Sequence, residues 1–148
     1  MARTANLRVM LLFDTHVIST MMSTRAAPEI AGWLLQQNAG QLFTAAVCQA
    51  EILVGIAIMP AGHRRAALEL AARTMFTDVF ADRILPFDSS AAEAYAGIVA
   101  TLRRSGRLPP PPDMMIAATA LARGASVVTR NVRDFAGCGV TIVNPWDV

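Results

Sequence analysis

The sequence predicts an α/β fold in which a parallel sheet is covered by helices on both faces. Two observations predict it: short apolar runs alternate with longer helical patterns along the chain, and carboxylates follow several of the apolar runs. Alternation of this kind is typical of strand–helix–strand units, which build parallel sheets. The 148 residues suit one domain, which we expect to span residues 1–148.

Five apolar segments have the length and composition of buried strands. The first is closed by Asp14, which follows it directly. Sites in parallel sheets form beyond the carboxyl ends of the strands, so the residues after these segments are the first candidates for function. The predicted strands are Arg8–Phe13, Leu42–Thr44, Ile84–Phe87, Ser126–Thr129 and Thr141–Val143.

Helices are predicted between the strands, and several have recognisable ends. The consecutive prolines at 109–112 form a stiff, extended segment that should lead directly into a helix. Gly106 and Gly124 are typical residues for ending the helices that precede them. The predicted helices begin near Val17 and otherwise span Pro28 to about Gln37, about Val47–Met59, His63 to about Phe80, Asp88 or Ser89 to about Arg104, and Asp113–Arg123.

Composition narrows the class of protein. Hydrophobic residues make up 54% of the chain, which indicates either apolar surface kept for a partner or simply a chain rich in alanine. The net charge of +2 does not by itself indicate nucleic-acid binding. All basic residues are arginine, whose planar fork holds phosphate through two hydrogen bonds, although genomic base composition is an alternative cause of that bias.

The cysteines and the apolar runs indicate a location. Cys48 and Cys138 are too isolated for a disulfide framework or a zinc site, which fits a reducing cytosol. The run from Val9 to Phe13 is too short for the core of a signal peptide or for a membrane span. We therefore expect a soluble, cytoplasmic protein without a membrane partner.

Four carboxylates fall at the expected active edge of the sheet. Asp14 and Asp134 come just after strands, whereas Glu51 and Asp113 lie in the first turns of helices. Taken singly, each has a structural alternative: a helix cap (Asp14), an acid at the positive end of a helix (Asp113), a capping box with Asn131 (Asp134) or a solvated helix residue (Glu51).

Glu51 argues against the structural alternative. Its helix is apolar almost all round, and a lone carboxylate is costly to bury in such a segment. Gly55 lies one turn further on the same face and leaves room for a ligand or another backbone. Carboxylates gather only when their charge is compensated, and ligands that are all oxygen suit Mg²⁺ or Mn²⁺ over zinc. We therefore predict a divalent-metal site and, without metal, at least one carboxylate with a raised pKa.

With these residues in place, the sequence resembles the PIN-domain ribonucleases, and among them the VapC and FitB-like toxins of bacterial toxin–antitoxin pairs. The resemblance spans about Val9 to Trp146 and implies a PIN-like three-layer α/β/α fold with a central parallel sheet of four to five strands. Its most specific piece is the segment 129–135, Thr-Arg-Asn-Val-Arg-Asp-Phe. The other carriers are Leu12–Thr15, Ala50–Ile52 with Gly55, Ile84–Asp88, Asp113–Gly124 and Asn144–Trp146.

The resemblance implies a Mg²⁺- or Mn²⁺-dependent endoribonuclease and assigns roles to the acids. Asp14 and Asp113 would be direct metal ligands, while Glu51 and Asp134 would bind through water or complete a second metal position. A water activated by the metal would hydrolyse the RNA phosphodiester bond. The groups expected to orient the acids are Thr15, Thr129 and Asn131, together with His16, which stands where the family usually has asparagine.

The resemblance also implies partners. A cognate antitoxin would inhibit the enzyme and would itself bind DNA, so this chain would be linked to DNA only through the antitoxin. Family members also usually pair as homodimers. Arg130 and Arg133 are candidates for holding the RNA backbone, with surface solubility as the alternative. The apolar residues that we expect in the core, and by resemblance in a groove for an antitoxin peptide, are Trp33, Leu34, Leu35, Leu53, Ile56 and Met59.

Other functions remain open. The departure at His16, and the bulkier Pro112 and Met114 around Asp113, favour a catalytically weakened binding module that acts through an antitoxin–DNA complex. A phosphatase with Asp14 as nucleophile fits less well, because His16 occupies the place of its second aspartate and the chain has no lysine. A Gly-flanked serine turn and a Gly-rich phosphate loop are both absent from the sequence.

Overall fold

The core of the protein is a sheet of five parallel strands in the order β3-β2-β1-β4-β5, seen in a computed structural model that describes residues 9–23 and 28–147. Helices cover both sides of the sheet. This confirms the predicted α/β fold and its parallel sheet of four to five strands. The strands are β1 (Leu11–Phe13), β2 (Leu42–Ala45), β3 (Ile84–Leu85), β4 (Ser126–Val128) and β5 (Ile142–Val143).

The helices lie close to their predicted positions. A 3₁₀ turn at Ala39–Gln41 leads into β2, and a π-helical turn at Met75–Val79 follows the fourth helix. The helices are α1 (Thr15–Met22), α2 (Pro28–Leu35), α3 (Ala46–Ala57), α4 (His63–Thr74), α5 (Ser89–Arg104), α6 (Pro111–Arg123) and α7 (Val132–Phe135).

Strand β1 is the centre of the structure. Its residues pair in parallel with both β2 and β4, and Leu12 and Phe13 are completely buried. The ring of Phe13 lies 5.9 Å from that of Trp33 and 5.7 Å from that of Phe80, so helices from different parts of the chain pack on it. A strand paired on both sides and covered on both faces is rigid, and it fixes the position of whatever follows it.

Several element boundaries differ from prediction by a few residues, and two of the differences, in α6 and β4, have identifiable reasons. Helix α6 begins at Pro111 rather than Asp113, because proline fits the first turn of a helix, where its missing N–H has no partner to lose. Strand β4 ends at Val128, and the predicted last residue, Thr129, uses its side chain elsewhere. Helix α7 was not predicted. The predicted start of the first strand, Arg8, lies outside the described residues.

Two residues predicted in the core are on the surface. Leu35 is 88% exposed and Leu53 is 47% exposed. In α3 the buried residues are Cys48, Ile52 and Ile56, spaced one turn apart, and Leu53 projects about 100° away from Ile52 around the helix axis. The apolar character of α3 on nearly all sides therefore reflects an exposed apolar face as well as a buried one.

Within the described ranges, no helix is both long enough and apolar enough to cross a membrane. Cys48 and Cys138 are buried free thiols. The absence of a disulfide between them agrees with the expectation from their isolation in the sequence.

The glycine that ends α6 allows its left-handed backbone conformation to be tested. Gly124 caps this helix in the left-handed conformation, with φ of 68°, so Gly124→Ala should lower the free energy of unfolding by about 1 kcal/mol. Gly97 lies within α5, where an added Cβ meets nothing within 4 Å, so Gly97→Ala should instead stabilise by about 0.5 kcal/mol. Urea denaturation measures the change in the free energy of unfolding for both variants. Equal changes would contradict the left-handed cap at Gly124.

Candidate active site

Asp14 is the buried anchor of the site, only 3% exposed at the end of β1. Its Oδ1 accepts a hydrogen bond from the Val17 backbone N–H at 2.9 Å, which caps α1. Its Oδ2 accepts a hydrogen bond from Thr129 Oγ1 at 2.5 Å, across the pairing of β1 with β4. Burial raises the pKa of Asp14, while these two hydrogen bonds act to lower it. The capping alternative is therefore correct for Asp14, and the same carboxylate also lies at the predicted edge.

Glu51 reaches this edge from α3. Thr15 Oγ1 donates a hydrogen bond to its Oε1 at 2.6 Å, which joins α3 to the first residue of α1. An added Cβ at Gly55 would meet nothing within 4 Å, and Gly55 and Glu51 both line a cavity of about 290 Å³. The prediction that Gly55 leaves space beside Glu51 is confirmed.

Asp113 and Asp134 complete the cluster. Asp113 lies in the first turn of α6, and a hydrogen bond joins its carboxyl group to that of Asp134 in α7. Burial, then this hydrogen bond and the charges of Asp134, Glu51 and Asp14, raise the pKa of Asp113 to about 7. Four acids that are far apart in sequence therefore act on one another, and the predicted raised pKa is confirmed.

Thr129 and Asn131 connect the acids by hydrogen bonds. The Asn131 backbone N–H donates to Thr129 Oγ1 at 2.9 Å, and that hydroxyl donates to Asp14. The Asn131 side-chain amide donates to Asp134 Oδ2 at 2.6 Å. The capping-box alternative for Asn131 and Asp134 was wrong, because Asn131 makes no side-chain hydrogen bond to the helix backbone. Its amide instead holds the Asp134 carboxylate.

His16 and the two candidate arginines lie around the acids rather than among them. His16 is exposed at the start of α1, and its charge acts to lower the pKa of Asp14. Arg130 stacks on Trp146, with its guanidinium carbon 5.0 Å from the ring centroid. Arg133 is exposed on α7.

Arg107 has a role that the sequence did not reveal. Its guanidinium donates hydrogen bonds to the backbone carbonyls of Arg133, at 2.8 Å, and Ala136. These carbonyls lie on either side of Asp134, so Arg107 fixes the turn that carries this acid. A single arginine between Gly106 and the prolines was the only signal in the sequence.

The donor set fits a hard divalent cation in its chemistry, and several of its carboxylate oxygens also accept hydrogen bonds from the protein. Among the described residues, no three His, Cys, Asp or Glu side chains are placed as a metal-binding group. Carboxylate oxygens of Asp14, Glu51 and Asp134 face protein donors, and Asp113 shares a hydrogen bond with Asp134. All-oxygen, anionic ligands are those that Mg²⁺ and Mn²⁺ prefer.

A family model described as PIN domain matches residues 11–137, a range that contains all four acids. The chain belongs to the PIN domain family. The resemblance to PIN-domain proteins that the sequence motifs indicate is therefore confirmed.

Named relatives cover nearly the whole chain. The protein is 36% identical to the VapC ribonuclease Y4jK of Sinorhizobium fredii over 138 residues, 93% of this chain and 99% of the relative. It is 31% identical over 137 residues to the toxin FitB of Neisseria gonorrhoeae, again 93% of this chain and 99% of the relative. The solved structure of FitAB bound to the IR36 DNA fragment superposes with a TM-score of 0.86 at 31% identity, covering 94% of this chain and 97% of the other.

Removing the Thr129 hydroxyl should perturb Asp14. In Thr129→Val the carboxylate loses a hydrogen bond that lowers its pKa, so the pKa of Asp14 should rise further. The free energy of unfolding near pH 7 should fall by about 1–3 kcal/mol, because a buried acceptor is left without its donor. Carboxyl NMR titration and urea denaturation measure these effects. Thr129→Ser keeps the hydroxyl and should resemble the parent; a Thr129→Val protein with an unchanged Asp14 titration would refute the role.

The raised pKa of Asp113 should make the metal-free protein less stable as pH rises. Its folded pKa of about 7 lies above the ordinary value of 3.8, so the folded state binds the proton more tightly than the unfolded chain does. The stability that comes from this proton is present at low pH and is lost as pH rises through about 7. Denaturation in chelator at several pH values should show this decline. Asp113→Asn should flatten it, whereas the exposed Asp78→Asn should not.

Proposed function

We propose that this PIN domain is a toxin ribonuclease that hydrolyses RNA phosphodiester bonds with the help of Mg²⁺ or Mn²⁺. One observation carries the proposal: Asp113, from a separate segment of the chain, is close enough to Asp134, Glu51 and Asp14 that burial and these three acids raise its pKa to about 7. Similarity to a VapC ribonuclease and to the toxin FitB, over 93% of the chain in both cases, supports the same activity.

The four acids differ in how their carboxylates are held, and each therefore fits a different role. The Asp14 carboxylate accepts hydrogen bonds from Thr129 and from the start of α1, so it would serve as a metal-binding group of fixed position. Asp113 is the acid whose protonation depends most on its neighbours. Glu51 and Asp134 are oriented by Thr15 and Asn131, and they would bind the cation directly or through water.

Mg²⁺ or Mn²⁺ bound by these acids would lower the pKa of a water ligand and neutralise charge that develops on the scissile phosphate. Around it, Thr15, Thr129 and Asn131 keep carboxylate oxygens pointed in fixed directions. Asp113 holds a proton near neutral pH, and this proton must leave before both Asp113 and Asp134 can act as anionic ligands. Metal affinity should therefore increase as pH rises through this range.

A nuclease assay on single-stranded RNA tests the proposal. With added Mn²⁺ the parent should cleave, chelator should stop cleavage, and Asp113→Asn should reduce the rate at least about 100-fold. Glu69→Gln makes the same chemical change at an exposed acid of α4 that pairs with Arg65, and it should cleave like the parent. Cleavage that survives both chelator and Asp113→Asn would defeat the metal assignment.

A second candidate is a PIN-fold binding module that has lost catalysis. The observation that favours it is that His16, exposed at the start of α1, stands two residues after Asp14, where the family usually has asparagine. Calorimetric titration with Mn²⁺ separates the two functions. Heat of binding that Asp113→Asn removes supports the nuclease, while no binding at millimolar Mn²⁺ supports the binding module.

The proposed partners are an antitoxin, a second copy of the chain and, through the antitoxin, DNA. A solved relative, FitAB, is bound to a DNA fragment. In this chain Leu35, Leu53, Val54 and Ile58 are exposed on or next to α2 and α3, where the sequence predicted buried side chains for two of them. Exposed aliphatic surface of this kind supports a protein partner. We propose the cytoplasm, where RNA substrates occur, as the place of action.

A further inference from the structure

A cavity of about 700 Å³ lies beside the acids and adjoins the space near Gly55, because Ser19 lines both. One wall is formed by His16, Ser19 and Thr20, which lie at helical spacing on one face of α1. The other wall comes from the segment after β4 and from the C-terminal part of the chain, with Arg130, Asn131 and Trp146.

Each wall of the cavity contains a residue that lies next to one of the acids. His16 lies two residues after Asp14, and the Asn131 amide donates to Asp134. An RNA strand whose phosphate lay at the acids would therefore place a neighbouring nucleotide at the mouth of this cavity.

The stack of Arg130 on Trp146 gives the cavity a flat surface. The guanidinium carbon lies 5.0 Å from the centroid of the indole ring. Trp146 is half-buried against the core, and its backbone N–H donates to Asn144 Oδ1 at 3.0 Å, so the ring is held in place. Guanidinium and indole planes are surfaces on which unpaired bases stack in RNA-binding proteins.

The opposite wall carries groups that recognise the edge of a base. His16 and Ser19 are exposed, and each can donate or accept a hydrogen bond. Thr20 Oγ1 donates to the His16 carbonyl at 3.0 Å, which leaves its lone pairs for an incoming donor. The flat surface of the Arg130–Trp146 stack and the polar wall opposite it fit a nucleobase better than they fit a phosphate group.

We propose that this cavity binds one unpaired nucleobase next to the scissile phosphate, stacked on the Arg130–Trp146 pair with its edge toward His16 and Ser19. The proposal rests on the proposed ribonuclease function and adds a subsite to it. It also replaces the expected role of Arg130 in holding the RNA backbone with a role in stacking.

The first experiment measures binding without cleavage. In a Trp33→Phe background, Trp146 is the remaining tryptophan and its fluorescence reports on the cavity. Adenosine 5′-monophosphate should bind at least about 5-fold more tightly than ribose 5-phosphate, because only the former can stack. Arg130→Ala should remove most of this difference, and, because Arg130 is exposed, folding should be unaffected. Equal affinity for the two ligands would indicate a phosphate site and would overturn the proposal.

The second experiment measures cleavage of a single-stranded oligoribonucleotide pool with Mn²⁺. Arg130→Ala and Trp146→Leu should raise KM about 10-fold with little change in kcat, and Trp146→Phe, which keeps an aromatic face, should recover most of the loss. Arg64→Ala removes an exposed arginine that does not line the cavity and serves as the charge control. KM values no higher than that control would overturn the subsite while leaving the ribonuclease intact. A parent that does not cleave would defeat the proposed function, and the nucleotide-binding result would still decide the subsite.

Discussion

The burial of the Asp14 carboxylate between β1 and β4 is the constraint on which the rest of the site depends. A carboxylate that is 3% exposed is stable only if its oxygens are satisfied, and Asp14 obtains donors from the start of α1 and from Thr129. These two contacts fix the angle at which α1 leaves the sheet and the path of the chain after β4. The other acids of the cluster therefore lie around a carboxylate whose position is fixed.

The acids of the cluster are held by neutral hydrogen-bond donors. Thr15, Thr129 and Asn131 are neutral donors, so they orient carboxylates without cancelling their charge. In residues 9–23 and 28–147, the ion pairs are Arg65 with Glu69 and Arg123 with Asp88, both away from the cluster. Within these ranges the crowded acids of the cluster therefore form no ion pair with a guanidinium group. Burial, followed by the interaction with Asp134 and the charges of Glu51 and Asp14, accounts for the raised pKa of Asp113.

Arginines near the site act instead through their shape. Arg107 holds two backbone carbonyls on either side of Asp134 and so positions an acid without touching its carboxylate. Arg130 lies flat on Trp146 and presents a plane rather than an isolated charge. Both uses depend on the rigid, planar guanidinium, which lysine does not offer. The arginine-only composition consequently has structural uses here, whatever its genomic origin.

The sequence by itself determined the fold class, the buried strands and the identity of the acids. Apolar runs that alternate with helical patterns predict a parallel sheet, and residues that follow its strands must lie at one edge, so Asp14 and Asp134 could be placed from chain order alone. Only the tertiary structure decided which donor holds which acid, because Thr129 and Asp14 are 115 residues apart and meet through strand pairing. Tertiary packing also decided that Leu35 and Leu53 face outward, and that Arg107 contacts the turn around Asp134. Local patterns specify the chemical nature of a side chain, whereas long-range packing specifies its neighbours, and the properties of this site come from the neighbours.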